Sequence, residues 1–253
     1  SGSHGMASST LSSPRLAVFD IDGTLFRWQL YYEVVLKLAD QMFFDDDDAE
    51  LIRSSFHAWQ SRNLSFSEFE KTAIGVLDAN LPRLSSAQFE STVTAVLNES
   101  SHKVYSYTRH LARQLKEQGY FLLAISGSMQ EIAEPFSKLY GFDECIGWLY
   151  EQKKGYFTGK TLRATVGKKH QLIHDYVAAH NLSLTGSVMV GDSAGDISML
   201  ELADHPVAFN PNEKLLDVAL QNNWEIVVER KNIAYSLKKD SDGHVILAKA
   251  DRF

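Results

Sequence analysis

Cysteine and long apolar segments are what this sequence has least of. Its single cysteine, Cys145, excludes an intrachain disulfide framework and a cysteine-based zinc cluster, and it suits a reducing compartment. No apolar run reaches the length of a membrane span, and no signal-peptide pattern precedes the first predicted strand. The formal net charge of −7 argues against nucleic acid or an anionic membrane as a partner. We therefore expect a soluble, cytoplasmic protein that binds neither.

Glycine is scarce between residues 27 and 101, where Gly75 is the only one. Apolar residues in this stretch recur at helical spacing, for example at positions 30, 34, 35 and 38. Ser67 with Glu70, and Ser85 with Gln88, have the spacing of a capping box that opens a helix. The stretch 27–101 is therefore predicted to be an all-helical cap domain inserted into another domain.

Strand and helix signals alternate in the rest of the chain, over residues 14–26 and 102–253. The alternation predicts an α/β core domain with a doubly wound parallel sheet. Ser128 and Glu131 have the capping-box spacing again and predict the start of a helix. A terminal β-hairpin is expected over 233–248, and residues 1–9 are interpreted as the remnant of an expression tag.

Acidic and small polar residues stand where three predicted strands end. Asp20 and Asp22 close the first strand, Ser126 and Gly127 the second, and the segment 191–196 the third. The carboxyl ends of parallel strands meet at one edge of a sheet, where α/β proteins bind ligands. Two neighbouring carboxylates repel each other, so the first pair is either a metal and phosphate site or an exposed loop end.

A lysine is predicted to join these residues. The apolar stripe of the helix near 168–180, extended back by one turn, falls on Lys169 and not on Lys168. A cation at the inner end of an apolar stripe needs an anion nearby, although a lysine that only covers a helix start would look similar. Lys169 is our first choice, and Lys168 is the alternative.

The chain resembles the haloacid dehalogenase-like hydrolases, and within them the subfamily IB phosphatases of the phosphoserine-phosphatase-like group. The resemblance extends from about residue 15 to 228 and includes the helical insertion in the expected gap. Its motifs stand here as Asp20-Ile21-Asp22-Gly23-Thr24, Ile125-Ser126-Gly127-Ser128, Lys169 and Gly191-Asp192-Ser193-Ala194-Gly195-Asp196.

The resemblance implies phosphoryl transfer through a phospho-aspartate. Asp20 would attack phosphorus, and Asp22 would give a proton to the leaving alcohol and later take one from water. Mg²⁺ would be held by Asp20, by Asp22 through its backbone carbonyl, and by Asp192. Asp196 would orient these ligands or Lys169. Phosphate would be bound by Lys169, the Ser126 hydroxyl and the Gly127 N–H.

The substrate cannot be assigned from these motifs. The resemblance implies a small phosphorylated metabolite, but Gln29 stands where phosphoserine phosphatases carry an amine-binding glutamate, and Gly195 stands where the family often has asparagine. Both departures put phosphoserine itself in doubt. Gln29, Glu33 and Arg53 are predicted as specificity residues, and further cap residues that could contact a leaving group are Arg27, Trp28, Tyr31, Tyr32, His57 and Arg62.

Two other functions remain open at this point. The chain could be a phosphotransferase or phosphomutase of the same family, since those enzymes share the phospho-aspartate chemistry. It could also be a non-catalytic binding protein with the same fold, although an intact set of acidic motif residues argues against that.

Overall fold

A nine-stranded sheet forms the centre of the protein. In this computed structural model, which describes residues 13–253, the predicted tag remnant at 1–9 lies outside the described residues. The strands are β1 (Arg15–Asp20), β2 (Phe121–Met129), β3 (Glu144–Lys153), β4 (Tyr156–Arg163), β5 (Ser183–Gly191), β6 (His205–Phe209), β7 (Glu225–Arg230), β8 (Ile233–Lys239) and β9 (Val245–Arg252). Their spatial order is β4-β3-β2-β1-β5-β6-β7-β8-β9.

The middle of the sheet is parallel and its margins are antiparallel. Strands β3, β2, β1, β5, β6 and β7 run in one direction, whereas β4 pairs antiparallel with β3. On the other margin, β8 pairs antiparallel with β7, and β9 with β8. The predicted α/β sheet and the terminal hairpin are confirmed, and the hairpin extends beyond the predicted residue 248 to Arg252.

Strand β1 lies in the middle of the sheet and is buried on both faces. Ala17 and Phe19 belong to one apolar cluster, and Leu16 and Val18 belong to a second, as expected for side chains that alternate along a strand. Helices α5 (Ser106–Glu117) and α6 (Gln130–Leu139) contribute to the first cluster. Helices α7 (Lys169–Ala179), α8 (Ile197–Leu200) and α9 (Glu213–Gln221) contribute to the second. The sheet is therefore covered on both faces, as a doubly wound fold requires.

The stretch predicted to be a cap is helical. It contains α1 (Leu30–Asp40), α2 (Asp46–Gln60), α3 (Phe66–Asn80) and α4 (Ser86–Ser100). The buried side chains of these helices, such as Leu38 and Phe69, belong to the same apolar cluster as Phe19 of the sheet. The division of the chain into a cap domain and a core domain remains a prediction.

Only one of the three predicted capping boxes forms. Ser85 and Gln88 make both reciprocal hydrogen bonds at the start of α4. The prediction for Ser67 and Glu70 is wrong, since α3 begins two residues earlier and its capping side chain is Ser65. The prediction for Ser128 is also wrong. Strand β2 continues through Ser128 because its end pairs with β3, Met129 opposite Trp148.

The hairpin of β3 and β4 reaches across to the helical stretch. The N–H of Ser86 donates a 2.8 Å hydrogen bond to the carbonyl of Gly155 in the hairpin turn. The rings of Phe89 and Phe157 meet edge to face, with 5.4 Å between their centroids. The hairpin therefore packs against α4 of the helical stretch. Across residues 13–253, the helices are too short or too polar to traverse a lipid bilayer.

Candidate active site

Lys169 joins two carboxylates at the carboxyl edge of the sheet. Its Nζ donates to Asp20 Oδ1 at 3.2 Å and to Asp196 Oδ1 at 2.7 Å, and all three side chains are buried. Lys169 is the first residue of α7, and Ile173 one turn later anchors the helix in the core. Lys168 is exposed at the N-cap of the same helix, so the structure brings the first-choice lysine to the site and not the alternative.

Asp196 is held by both of its oxygens. While Oδ1 accepts from Lys169, Oδ2 accepts the backbone N–H groups of Asp192 at 3.0 Å and Ser193 at 3.2 Å. This close turn needs glycine at position 191, since a Cβ there would lie 2.5 Å from the Cβ of Asp196. Asp196 therefore ties the loop after β5 to Lys169, an arrangement that suits the predicted orienting role.

Thr24 connects the first motif to the loop after β5. Its buried hydroxyl lies 3.2 Å from Asp192 Oδ1 and 3.5 Å from Asp20 Oδ2. Gly23 has a φ of +79°, and a Cβ on it would come within 2.1 Å of Asp192 Oδ2. The glycine thus permits both the left-handed turn and the close approach of Asp192.

Charge is concentrated and poorly hydrated here. Burial raises the pKa of Asp20 and Asp192 above the usual aspartate range, and the neighbouring carboxylates raise it further. Burial lowers the pKa of the Lys169 ammonium, but the charges of Asp196 and Asp20 outweigh this effect and raise it above the ordinary lysine value. One lysine is thus set against three carboxyl groups, and a further positive charge would balance the site.

The donor set fits a hard divalent cation. Carboxylate oxygens of Asp20, Asp192 and Asp196 lie within 4.8 Å of one another. Oxygen-only donors of this kind suit Mg²⁺ and not a thiolate-loving metal. Because Asp20 and Asp192 line the cavity whereas Asp196 is fully buried outside the lining, Asp20 and Asp192 are the better side-chain ligands. The Asp22 carboxylate is not in the cluster, so its predicted metal contact would be through the backbone.

Asp22 lies beside the cluster at the start of the helical stretch. Its Oδ1 accepts the backbone N–H of Leu30, the first residue of α1, at 3.0 Å. Burial raises the pKa of Asp22 to about 7. The carboxyl group is therefore fixed in position and less acidic than an aspartate in water.

A cavity of about 520 Å³ opens above these carboxylates. Gly127 and Ser128 line it, whereas Ser126 does not. The Ser126 hydroxyl instead accepts the N–H of Ser128 at 3.0 Å. The buried Ser128 hydroxyl has no hydrogen-bond partner in the described part of the chain. The capping prediction for Ser128 missed this position, although the Ser-Gly-Ser spacing places both hydroxyls on the same strand segment.

The family model for haloacid dehalogenase-like hydrolases matches residues 17–201, which include every residue of the carboxylate and lysine cluster. The chain belongs to this family. The resemblance predicted from the motifs is therefore confirmed.

Among curated proteins, this haloacid dehalogenase-like chain is similar to phosphoserine phosphatases. That of Archaeoglobus fulgidus is 27% identical over 81% of this chain and 55% of its own length. That of Streptomyces coelicolor is 26% identical over 81% of this chain and 46% of its own length. The chain thus spans about half the length of these relatives.

Solved structures of the family share the fold. A protein of unknown function from Bordetella pertussis superposes with a TM-score of 0.70 at 19% identity, covering 85% of this chain and 98% of its own. A phospho-aspartyl intermediate analogue of phosphoserine phosphatase superposes with a TM-score of 0.56 at 20% identity, covering 87% and 95%. At these identities the likeness concerns the fold alone.

The predicted specificity residues separate into two groups. Gln29 lines the cavity, but Glu33 and Arg53 do not. Glu33 turns to α4, where Ser100 donates to it at 3.2 Å, and Arg53 donates to the carbonyl of Ala39 at 3.0 Å. Both predictions are corrected, because these side chains bind neighbouring helices.

The remaining cap candidates divide in the same way. Tyr31 and Tyr32 line the cavity, and Arg27 pairs with the buried Glu229 at 3.0 Å. The cavity lining also contains residues that were not predicted as site residues from the sequence, namely Glu70, Ile74, Asp78, Met129, Trp148, Tyr150 and Val166. A spacing of four residues from Glu70 through Ile74 to Asp78 is the one signal that marks a shared helix face.

Proposed function

We propose that this chain is a Mg²⁺-dependent phosphomonoesterase that hydrolyses a small phosphorylated metabolite through a phospho-aspartate intermediate. The observation that carries the proposal is the position of Lys169, which binds both Asp196 and Asp20, a residue that lines the cavity. A buried ammonium beside a buried carboxylate serves a phosphoryl group well, since it offsets negative charge where charge accumulates.

Asp20 is the proposed nucleophile. Its carboxylate oxygen attacks phosphorus while the bond from phosphorus to the leaving alcohol breaks. Lys169 and the Thr24 hydroxyl hold the carboxylate on either side, which fixes the angle of attack. Asp20, the backbone carbonyl of Asp22 and Asp192 would hold Mg²⁺, which when bound supplies the positive charge that offsets carboxylate and phosphate repulsion.

Asp22 is the proposed acid and base. It gives its proton to the departing alkoxide in the first displacement and takes one from the water that attacks the acyl phosphate in the second. The Leu30 N–H keeps the carboxyl group at the cavity wall, within the site and at the entrance to the helical stretch. Gly127 and Ser128 would bind phosphate oxygens, and here Ser128 takes the place predicted for Ser126.

The test is hydrolysis of p-nitrophenyl phosphate with Mg²⁺, followed by a panel of phosphorylated metabolites. We expect release of p-nitrophenol and inorganic phosphate in equal amounts. A purified, folded protein that releases neither from the aryl ester nor from any metabolite of the panel would contradict the proposal.

A further inference from the structure

The cavity has two ends of different chemistry. We call the region of Asp20, Asp192 and Ser128, with Lys169 bound to Asp20 outside the cavity lining, the phosphate end. The leaving-group end is formed by the lining residues from α1, α3 and β3, which are Tyr31, Tyr32, Glu70, Ile74, Asp78, Trp148 and Tyr150. No lysine, arginine or histidine is among the described residues that line the cavity, and both ends carry carboxylates.

Glu70 and Asp78 are held at the leaving-group end by tyrosines. Tyr32 donates its hydroxyl to Glu70 Oε2 at 2.7 Å, and Tyr150 donates to Asp78 Oδ1 at 3.2 Å. Within residues 13–253, neither carboxylate forms an ion pair with a basic side chain, although exposed acids of the same helical stretch do. The cavity wall thus carries two oriented carboxylates whose negative charge no basic side chain of the described residues neutralises.

Aromatic rings complete this wall. Tyr31 and Tyr32 meet edge to face at 5.5 Å between centroids, and the rings of Trp148 and Tyr150 are 6.2 Å apart. Burial raises the pKa of the Tyr31 phenol, and Tyr150, Asp78 and Glu70 raise it further, so these groups from three elements act on one another. Aromatic faces attract cations, and quaternary ammonium groups are bound in such surroundings.

The phosphate end carries an unpartnered hydroxyl that suits the phosphate group of a ligand. The Ser128 hydroxyl, 7% exposed as a residue, lines the cavity without a partner, and a buried donor of this kind favours a ligand oxygen. A ligand that satisfies both ends carries a phosphate at one and a cation at the other. A carboxylate on the ligand would face Glu70 or Asp78 with no lining cation to balance it.

We infer that the substrate is the phosphomonoester of an amino alcohol, with a protonated or quaternary amine and without a carboxylate. The negative charges of Glu70 and Asp78 attract the amine, and the rings of Tyr31, Trp148 and Tyr150 line the space that it occupies. The inference rests on the proposed phosphatase function and adds to it the chemical class of the leaving group.

The test compares esters whose leaving groups carry different charges. Phosphocholine is measured against 3,3-dimethylbutyl phosphate, which has the same shape without the cation, and O-phosphoethanolamine against O-phospho-L-serine. We expect kcat/KM to favour phosphocholine over its neutral counterpart by about tenfold or more, mainly through KM, since the cation is bound in ground and transition states alike. Phosphoethanolamine should likewise exceed phosphoserine.

Variants assign this preference to the two carboxylates. Glu70→Gln and Asp78→Asn should each reduce the phosphocholine preference by about threefold, and the double variant should abolish most of it. Glu68→Gln is the matched control, because it removes one charge from α3 at an exposed position outside the cavity lining. It should leave the preference unchanged.

An equal rate for the charged and neutral esters, a preference for phosphoserine, or a preference unchanged in both variants would overturn the inference. Failure of the proposed function is a separate result, namely no turnover of p-nitrophenyl phosphate. In that case, calorimetric binding of phosphocholine and of its neutral counterpart to the Asp20→Asn variant decides. Tighter binding of phosphocholine supports the inference, and equal binding overturns it.

Discussion

The two ends of the cavity are built in opposite ways. At the phosphate end the charged groups bind one another, as Lys169 does with Asp20 and Asp196. At the leaving-group end, Glu70 and Asp78 are bound by tyrosine hydroxyls and by no cation of the described chain. In the proposed function, the charged cluster carries out phosphoryl transfer and the leaving-group end binds the rest of the substrate. Chemistry and selectivity are thus located on different elements of the fold.

Removal of the nucleophile should have the largest effect, and it should act at the phosphate end alone. Asp20→Asn keeps the shape of the side chain but cannot form the acyl phosphate, so kcat for p-nitrophenyl phosphate should fall by about 10³-fold or more. Circular dichroism should be unchanged. Asp47→Asn, an exposed change on α2, is the control for loss of one charge. Retention of full activity in Asp20→Asn would refute the assignment.

Removal of the metal should be nearly as damaging. Treatment with EDTA should reduce turnover of the aryl ester to background, because Asp20 and Asp192 would then repel phosphate without compensation. Excess Mg²⁺ should restore the rate, and the readout is the initial velocity before and after addition. Turnover that persists in the chelator would count against a metal at this end.

Two neighbouring lysines, one buried and one exposed, test the role of the cation at the phosphate end. Lys169→Met should lower kcat about 10²-fold and the free energy of unfolding by about 3 kcal/mol, since it leaves Asp20 and Asp196 buried without a cation. Lys168→Met removes an exposed charge one residue away and should change neither quantity by much. Enzyme kinetics and urea denaturation measure both. Equal losses in the two variants would show that Lys169 has no special position.

Ser128→Ala should have the smallest effect, and it should separate binding from stability. The hydroxyl has no partner in the described chain, so its loss should leave the free energy of unfolding nearly unchanged. Inhibition by inorganic phosphate should weaken by about threefold to tenfold, as expected for one lost hydrogen bond to a charged ligand. A variant that is strongly destabilised yet binds phosphate normally would contradict this assignment.

The phosphate end could be predicted from sequence because its residues follow local rules. A buried strand that ends in Asp20, and a helix whose apolar stripe leads back to Lys169, each place one side chain at the same sheet edge. The parallel order of the strands then brings them together. The fold class and family follow from the same patterns, and both are confirmed.

The leaving-group end, together with Ser128 at the phosphate end, could not be predicted because these contacts depend on tertiary packing. Ser128 and Glu70 have the spacing of capping residues, but sheet pairing at Met129 and a helix start at Phe66 override that local preference. Glu33 is predicted from its place one helical turn after Gln29, and Arg53 from its place in the cap, but both side chains bind neighbouring helices. Tyr150 meets Asp78 across 72 positions of the chain, a contact that no short motif encodes.

In the proposed mechanism Asp20 forms a covalent phospho-aspartate, and one measurement tests this directly. The enzyme is mixed with Mg²⁺ and a phosphomonoester, quenched in acid during turnover, and digested for tandem mass spectrometry. We expect one phosphoryl group on the peptide that contains Asp20. It should be located on the Asp20 side chain and be absent from the Asp20→Asn variant. A phosphoryl group on another residue, or steady turnover with no labelled protein at any quench time, would contradict it.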